Sequence, residues 1–164
     1  MLKTLGTIPY PISLIRSIVT DSANSTQWDT TFCKREILQS FPTENGVSKA
    51  IWHNTIKFPV FMTDRDVVIE EKIWSQHNND PKAILMFTKS TTNSQCPPKD
   101  KPIRADILIA GIYFYEMSPQ QTLIARINNA DLKLTTGKDV VNSQIPDNEK
   151  DYVENLTKQC KKKS

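Results

Sequence analysis

Lys57-Phe-Pro-Val-Phe-Met-Thr-Asp-Arg-Asp-Val-Val68 decides how this chain is read. An apolar, proline-containing connection runs into Arg65-Asp66 and then into a β-branched stretch. Phe58, Pro59, Val60, Phe61 and Met62 are consecutive apolar residues in that connection. A loop of that composition needs an apolar partner. Three partners are open: the core, a membrane or a lipid.

Downstream of the loop, residues 65–75 are rich in Val and Ile and read as a strand. Alternation then puts Arg65, Val67, Ile69, Glu71 and Ile73 on one face. Upstream, residues 33–41 and 47–58 read as a hairpin closed at Pro42-Thr-Glu-Asn-Gly46, where Asn-Gly supplies the turn. Further strands are expected over 82–89, 103–116 and 121–132, separated by a long polar loop at 90–102 and a short connection at 117–120. Residues 11–23 read as a short helix with Ile12, Ile15, Ile18 and Val19 on one face. Residues 137–161 read as a closing amphipathic helix. Its stripe is Val141, Ile145, Tyr152, Leu156 and Cys160.

Sequential strands joined by short turns pair antiparallel. Such a sheet has an apolar face, and the last helix has the stripe to cover it. The expected fold class is α+β, with about six antiparallel strands curved around a long C-terminal helix in one domain over residues 1–164.

Composition narrows the function. The excess of 21 basic over 18 acidic side chains is only +3, too little to argue for nucleic acid. No apolar run reaches the roughly 20 residues of a membrane-spanning helix, and the N-terminus lacks a signal-peptide core. Cys33, Cys96 and Cys160 form no Cys-x-x-Cys pair, so neither a zinc site nor a disulfide framework is expected, and a reducing cytosol is the default compartment. His53 and His77 have no Cys, Asp or Glu at metal spacing; neither a metal site nor a Ser-His-Asp triad is expected. Four glycines exclude a Gly-rich phosphate loop.

Four segments, in order and spacing, carry a family likeness: Val19-Thr-Asp21 with Trp28-Asp29; residues 57–68; Ile103-Arg104-Ala105; and Asp131-Leu132-Lys133 with Val140-Val-Asn142 and the stretch from Tyr152 to Leu156. Together they resemble the START family, the lipid-transfer domains related to the steroidogenic acute regulatory protein. The loop is most similar to the phosphatidylcholine-transfer type. The likeness covers about residues 7–161. Two features depart from it. The likeness enters at the family's third strand, so the family's N-terminal helix and first strands are expected either to be missing or to be replaced by a shorter variant. Leu134-Thr-Thr-Gly137 stands where the family has Gly-Trp-x-Pro.

The resemblance implies a helix-grip fold that holds one lipid between sheet and helix and transfers it between membranes. It implies no catalysis and no cofactor. It also implies a monomer in the cytoplasm with transient peripheral membrane contact, and a phospholipid in preference to a sterol. The lipid cavity would be lined by Trp52, Val67, Ile69, Glu71, Ile73, Arg104, Tyr113, Arg126, Val141, Ile145 and Tyr152. Pro59, Val60, Phe61 and Met62 would form the gate loop, with Arg65 and Asp66 as the signature pair.

Individual residues keep a plainer alternative. The gate loop can simply pack on the last helix. Arg65 and Asp66 can serve structure, by pairing with backbone or each other, or can meet a headgroup. Glu71 stands where sterol-type members carry a cavity arginine. If it points inward it needs a partner, for which Arg104 and Arg126 are the candidates. Trp52, Trp74, Tyr113 and Tyr115 can build a choline cage by cation–π contact or act as ordinary core and surface aromatics. Tyr113 and Tyr115 share a face opposite Phe114. Three other functions stay open: a lipid sensor that transfers nothing, a helix-grip cyclase or hydrolase, and a protein-interaction module without a cavity.

Overall fold

The computed structural model describes residues 2–58, 62–135 and 138–164, and their side chains except at 2, 138 and 140–149. Eight strands form one curved sheet: β1 (Leu2–Ile8), β2 (Lys34–Ser40), β3 (Val47–Ile56), β4 (Arg65–Trp74), β5 (Ala83–Ser90), β6 (Ile103–Arg104), β7 (Asp106–Ser118) and β8 (Gln121–Asp131). Their order is β1-β8-β7-β5-β4-β3-β2, antiparallel throughout, with the short β6 added parallel to the start of β4. Two helices accompany the sheet, α1 (Ile12–Val19) and α2 (Lys138–Lys163). The α+β architecture expected from the sequence is the one observed.

Local chemistry explains most boundaries. Asn45 and Gly46 both take positive φ, so the β2–β3 hairpin turns as the Asn-Gly pair requires. Helix α1 buries Ile12, Ile15, Ile18 and Val19, the anticipated face. It stops four residues before the anticipated end at 23, and a 3-10 helix (Ser22–Gln27) follows. There the Asn24 amide donates to the Asp21 carboxylate and the Ser25 hydroxyl to the Ser22 carbonyl. Such short polar side chains offer the backbone an alternative to continued α-helix.

Two strands depart from the sequence reading. The anticipated strand at 103–116 is broken at Ala105, because Ile103 and Ala105 bond to Asp64 and Asp66 of the β4 end before the chain turns to β8. Strand β1 was not anticipated. Its apolar Leu5 faces solvent and is 74% exposed, while the inward position beside it is Gly6, close to the Ile124 side chain. At that pair the apolar-in pattern by which strands are recognised is inverted, and among the described side chains of the strand Ile8 alone keeps it; pairing with β8 places β1.

The inner face carries two apolar clusters. One joins Ile8, Ile73, Ile84, Phe114 and Ile124 to α1 and to Tyr152, Leu156 and Cys160 of α2. The other joins Trp52, Val67, Ile69, Ala105 and Ile107, near the opposite end of the strands. The C-terminal half of the predicted helix stripe therefore packs as expected; Val141 and Ile145 lie outside the described side chains. Burial pushes the Cys160 thiol up to about 11, so it is an inert core group. Leu156 is fully buried. Leu156→Ala is expected to cost about 2–5 kcal/mol in urea unfolding through the cavity it leaves.

Candidate functional site

Alternation along β4 turns Val67, Ile69, Glu71 and Ile73 to the inner face, and all four are buried. Val67 and Ile69 belong to the cluster around Trp52, and Ile73 to the cluster that grips α2. Glu71 lies between them on the same strand. Its partner is neither Arg104 nor Arg126 but Arg35 of β2, at 3.0 Å, and both side chains are only 7% exposed. The reason is register. Arg35 faces Asn54 across β2–β3, and Glu71 faces Ala50 across β3–β4, so an extended guanidinium reaches over β3. Arg35 also packs 4.4 Å from the centre of the Trp52 ring and donates to the Ser25 hydroxyl at 2.6 Å.

Beside this pair lies a groove of about 270 Å³. Its walls are residues 20–23, Ile37, Phe41, Lys49 and Ala50, and it reaches Trp52, Glu71 and Ile73. Three of the expected cavity residues thus meet at one opening. A charge pair on an apolar floor suits a molecule with both a tail and a polar group.

Other expected residues are placed elsewhere. Arg104 is not at the inner face. It donates to both Asp66 oxygens at 3.0 and 2.9 Å and to the Cys96 carbonyl, beneath the 91–102 loop on the outer side of β4. Tyr113 is also on the outer side, opposite the buried Phe114. It stacks on Tyr115 at 6.3 Å and meets His77 edge-on. Burial there pushes its hydroxyl pKa up, helped by Asp80 and Tyr115. A choline cage built on Trp52 and Tyr113 together is excluded, because the sheet lies between them. Arg126 is on the inner face, with its guanidinium 3.7 Å from the centre of the Tyr152 ring, which ties β8 to α2.

The signature pair serves structure on both sides of β4. Arg65 donates to the carbonyls of Leu132 (2.7 Å), Lys133 (3.4 Å) and Thr63, and packs over the Phe58 ring. It therefore ties the loop before β4 to the segment that leaves β8 for α2. Asp66 accepts from Arg104 and lies 2.9 Å from the His53 ring. Burial alone would raise its pKa, but the hydrogen bonds from Arg104 and His53 outweigh this and hold it below the ordinary carboxylate range. His53 Nδ1 lies 3.4 Å from Glu36. Among the described residues, His53, Asp66 and Cys96 bring possible metal-ligating atoms within 4.8 Å. The Arg104 guanidinium already bonds Asp66 and Cys96, so the cation position there is filled by the chain itself. Of the gate loop, Met62 is half-buried, and Pro59, Val60 and Phe61 lie outside the described residues.

Sequence reasoning missed Arg35 and Asn54. Asn54 carries a signal: Asn is disfavoured inside a strand, and one retained at an inward position needs a reason. Arg35 carries none, since it sits in a polar edge strand among Lys34 and Glu36.

Comparison with curated proteins finds no matching sequence. Solved structures do match. The human StAR-related lipid transfer protein 5 superposes with a TM-score of 0.81 at 18% identity, over 98% of this chain and 74% of that one. Human STARD10 gives 0.78 at 16% identity, over 95% of this chain and 62% of that one. The Zhui aromatase/cyclase from a Streptomyces species gives 0.59 at 9% identity, over 98% and 92%. At these identities the likeness establishes the fold. The START domain family model matches residues 1–162, and with the sheet and gripping helix described above it settles the relationship: the chain belongs to the START domain family.

Proposed function

We propose that this chain binds one lipid between the inner face of the sheet and α2 and carries it between membranes, and that the lipid is a phospholipid rather than a sterol. The observation that carries the reading is the buried Arg35–Glu71 pair set between two apolar clusters. A single sterol hydroxyl has little use for a full ion pair. A headgroup with several polar atoms can exchange hydrogen bonds with it. Family membership and the fold shared with the human StAR-related lipid transfer protein 5 support the same reading. The chain acts as a monomer in the cytoplasm and touches membranes transiently through residues 59–62.

The fold also hosts an aromatase/cyclase, so a catalytic reading has a structural precedent. It would require a positioned acid or base facing the ligand. Glu71, the acid on the inner face of β4, is committed to Arg35 instead, which favours binding over chemistry. Transfer of phosphatidylcholine from donor to acceptor vesicles tests the proposal. A measurable rate supports transfer, and one bound lipid without any rate supports a sensor. Phe61→Ser with Met62→Ser is expected to slow transfer about tenfold, since each residue contributes apolar area to membrane contact. An unchanged rate would remove the gate role.

A further inference from the structure

Asn54 lies near the C-terminal end of β3 and is completely buried, yet among the described residues neither its amide nitrogen nor its side-chain oxygen has a hydrogen-bond partner. The indole N–H of Trp52 and Nε of Arg35 are in the same state. These atoms belong together. Arg35 is the direct cross-strand neighbour of Asn54, Trp52 is two residues along β3 on the same face, and the Arg35 guanidinium lies over the Trp52 ring. Native interiors pair nearly all their buried polar groups, so a cluster of unpaired ones calls for a partner from outside the chain. An apolar residue at position 54 would have avoided the penalty at no cost to the strand.

The chemistry of the missing partner can be read from what is unpaired. Trp52 and Arg35 offer only donors, and Asn54 offers donors and one acceptor. The ligand must therefore present accepting oxygens. The positive charge of Arg35 is already matched by Glu71 at 3.0 Å, so the site has no spare charge with which to attract a net anion. Of these three residues the groove touches Trp52, and it also touches Glu71, so a ligand would approach from the Trp52 side.

We propose that Arg35, Trp52 and Asn54 form a headgroup site for the hydrogen-bond-accepting oxygens of a net-neutral lipid. This deepens the lipid-binding reading and rests on it. The Arg35–Glu71 pair sets the charge of the site, and Asn54 and Trp52 supply its free hydrogen bonds.

The test is uptake by the full chain, stripped of lipid, from phosphatidylcholine vesicles and, separately, from phosphatidylglycerol vesicles. The native protein is expected to take up phosphatidylcholine about tenfold better, which would correspond to one unreplaced charged contact. Asn54→Leu should lower phosphatidylcholine occupancy about tenfold. Its lipid-free melting temperature should hold or rise, because no hydrogen bond of the chain is lost. Trp52→Phe keeps the ring and removes the N–H, and should lower occupancy in the same direction. A melting temperature that falls with uptake unchanged would make Asn54 a structural residue and overturn the proposal. Equal uptake of both lipids would overturn its charge assignment. If the native protein takes up neither lipid, the lipid-binding reading itself fails, whatever the variants do.

Discussion

Glu71→Leu is expected to lower stability by about 3–5 kcal/mol, because Arg35 is left as a buried charge without its carboxylate over the Trp52 ring. For a chain of this length that is a fall in melting temperature of roughly 10 °C. The companion result matters more. With Arg35→Met added, both charges are gone and the double variant should return to within about 1 kcal/mol of the native protein. A double-mutant cycle by urea unfolding checks both. Additive losses would show that the two side chains do not act as a pair. The restored double variant would then serve as a folded protein with an apolar inner face. Its lipid preference should shift away from phospholipid if the pair selects the headgroup.

The second large effect belongs to Asp66. It is buried and carries two hydrogen bonds from Arg104 and a contact to His53. Asp66→Ala should cost about 3 kcal/mol or more at neutral pH, since it strips Arg104 of its partner. The pH dependence gives the loss a signature. The folded carboxyl pKa lies below its unfolded value. Near that range the unfolded state binds more protons, so stability falls as the pH falls. The contribution is complete above an unfolded value of about 4 and is lost as the pH drops through the lower folded value. The native protein should thus lose stability faster than Asp66→Ala below about pH 4, and the two curves should converge. Parallel curves would mean that Asp66 does not titrate with folding.

Why some features were legible and others were not is a matter of range. The helix faces, the Asn-Gly hairpin and the alternation on β4 are local, and each follows from residues within a few positions of one another. The inward orientation of Glu71 was readable for that reason. Its partner was not. Arg35 reaches it across β3, through a register that no local pattern encodes. Arg104 was expected inside as a candidate partner for Glu71, but the strand is broken after it, and the carboxylate of Asp66 holds it on the outer side. Tyr113 was placed with the cavity on the family resemblance, and no local pattern fixes which way it faces. The parity of β7 depends on an irregularity between Ile107 and Ile109, which reverses what simple alternation from Ile103 would give. Strand β1 was hidden because Leu5 is exposed and its inward neighbour is Gly6, which leaves Ile8, among the described side chains of the strand, as a lone inward apolar signal at its end. The Arg-Asp signature was visible as a motif, while its work is to hold the β8–α2 connection and the outer loop, a role that only the tertiary contacts reveal.

Native mass spectrometry of the purified chain, with the bound species extracted and identified, tests most directly the proposal that the inner face and α2 enclose a single lipid. A population one phospholipid heavier than the 18.7 kDa chain is expected, in a ratio of one to one. A protein that stays at its bare mass after purification and after incubation with phosphatidylcholine vesicles would contradict it.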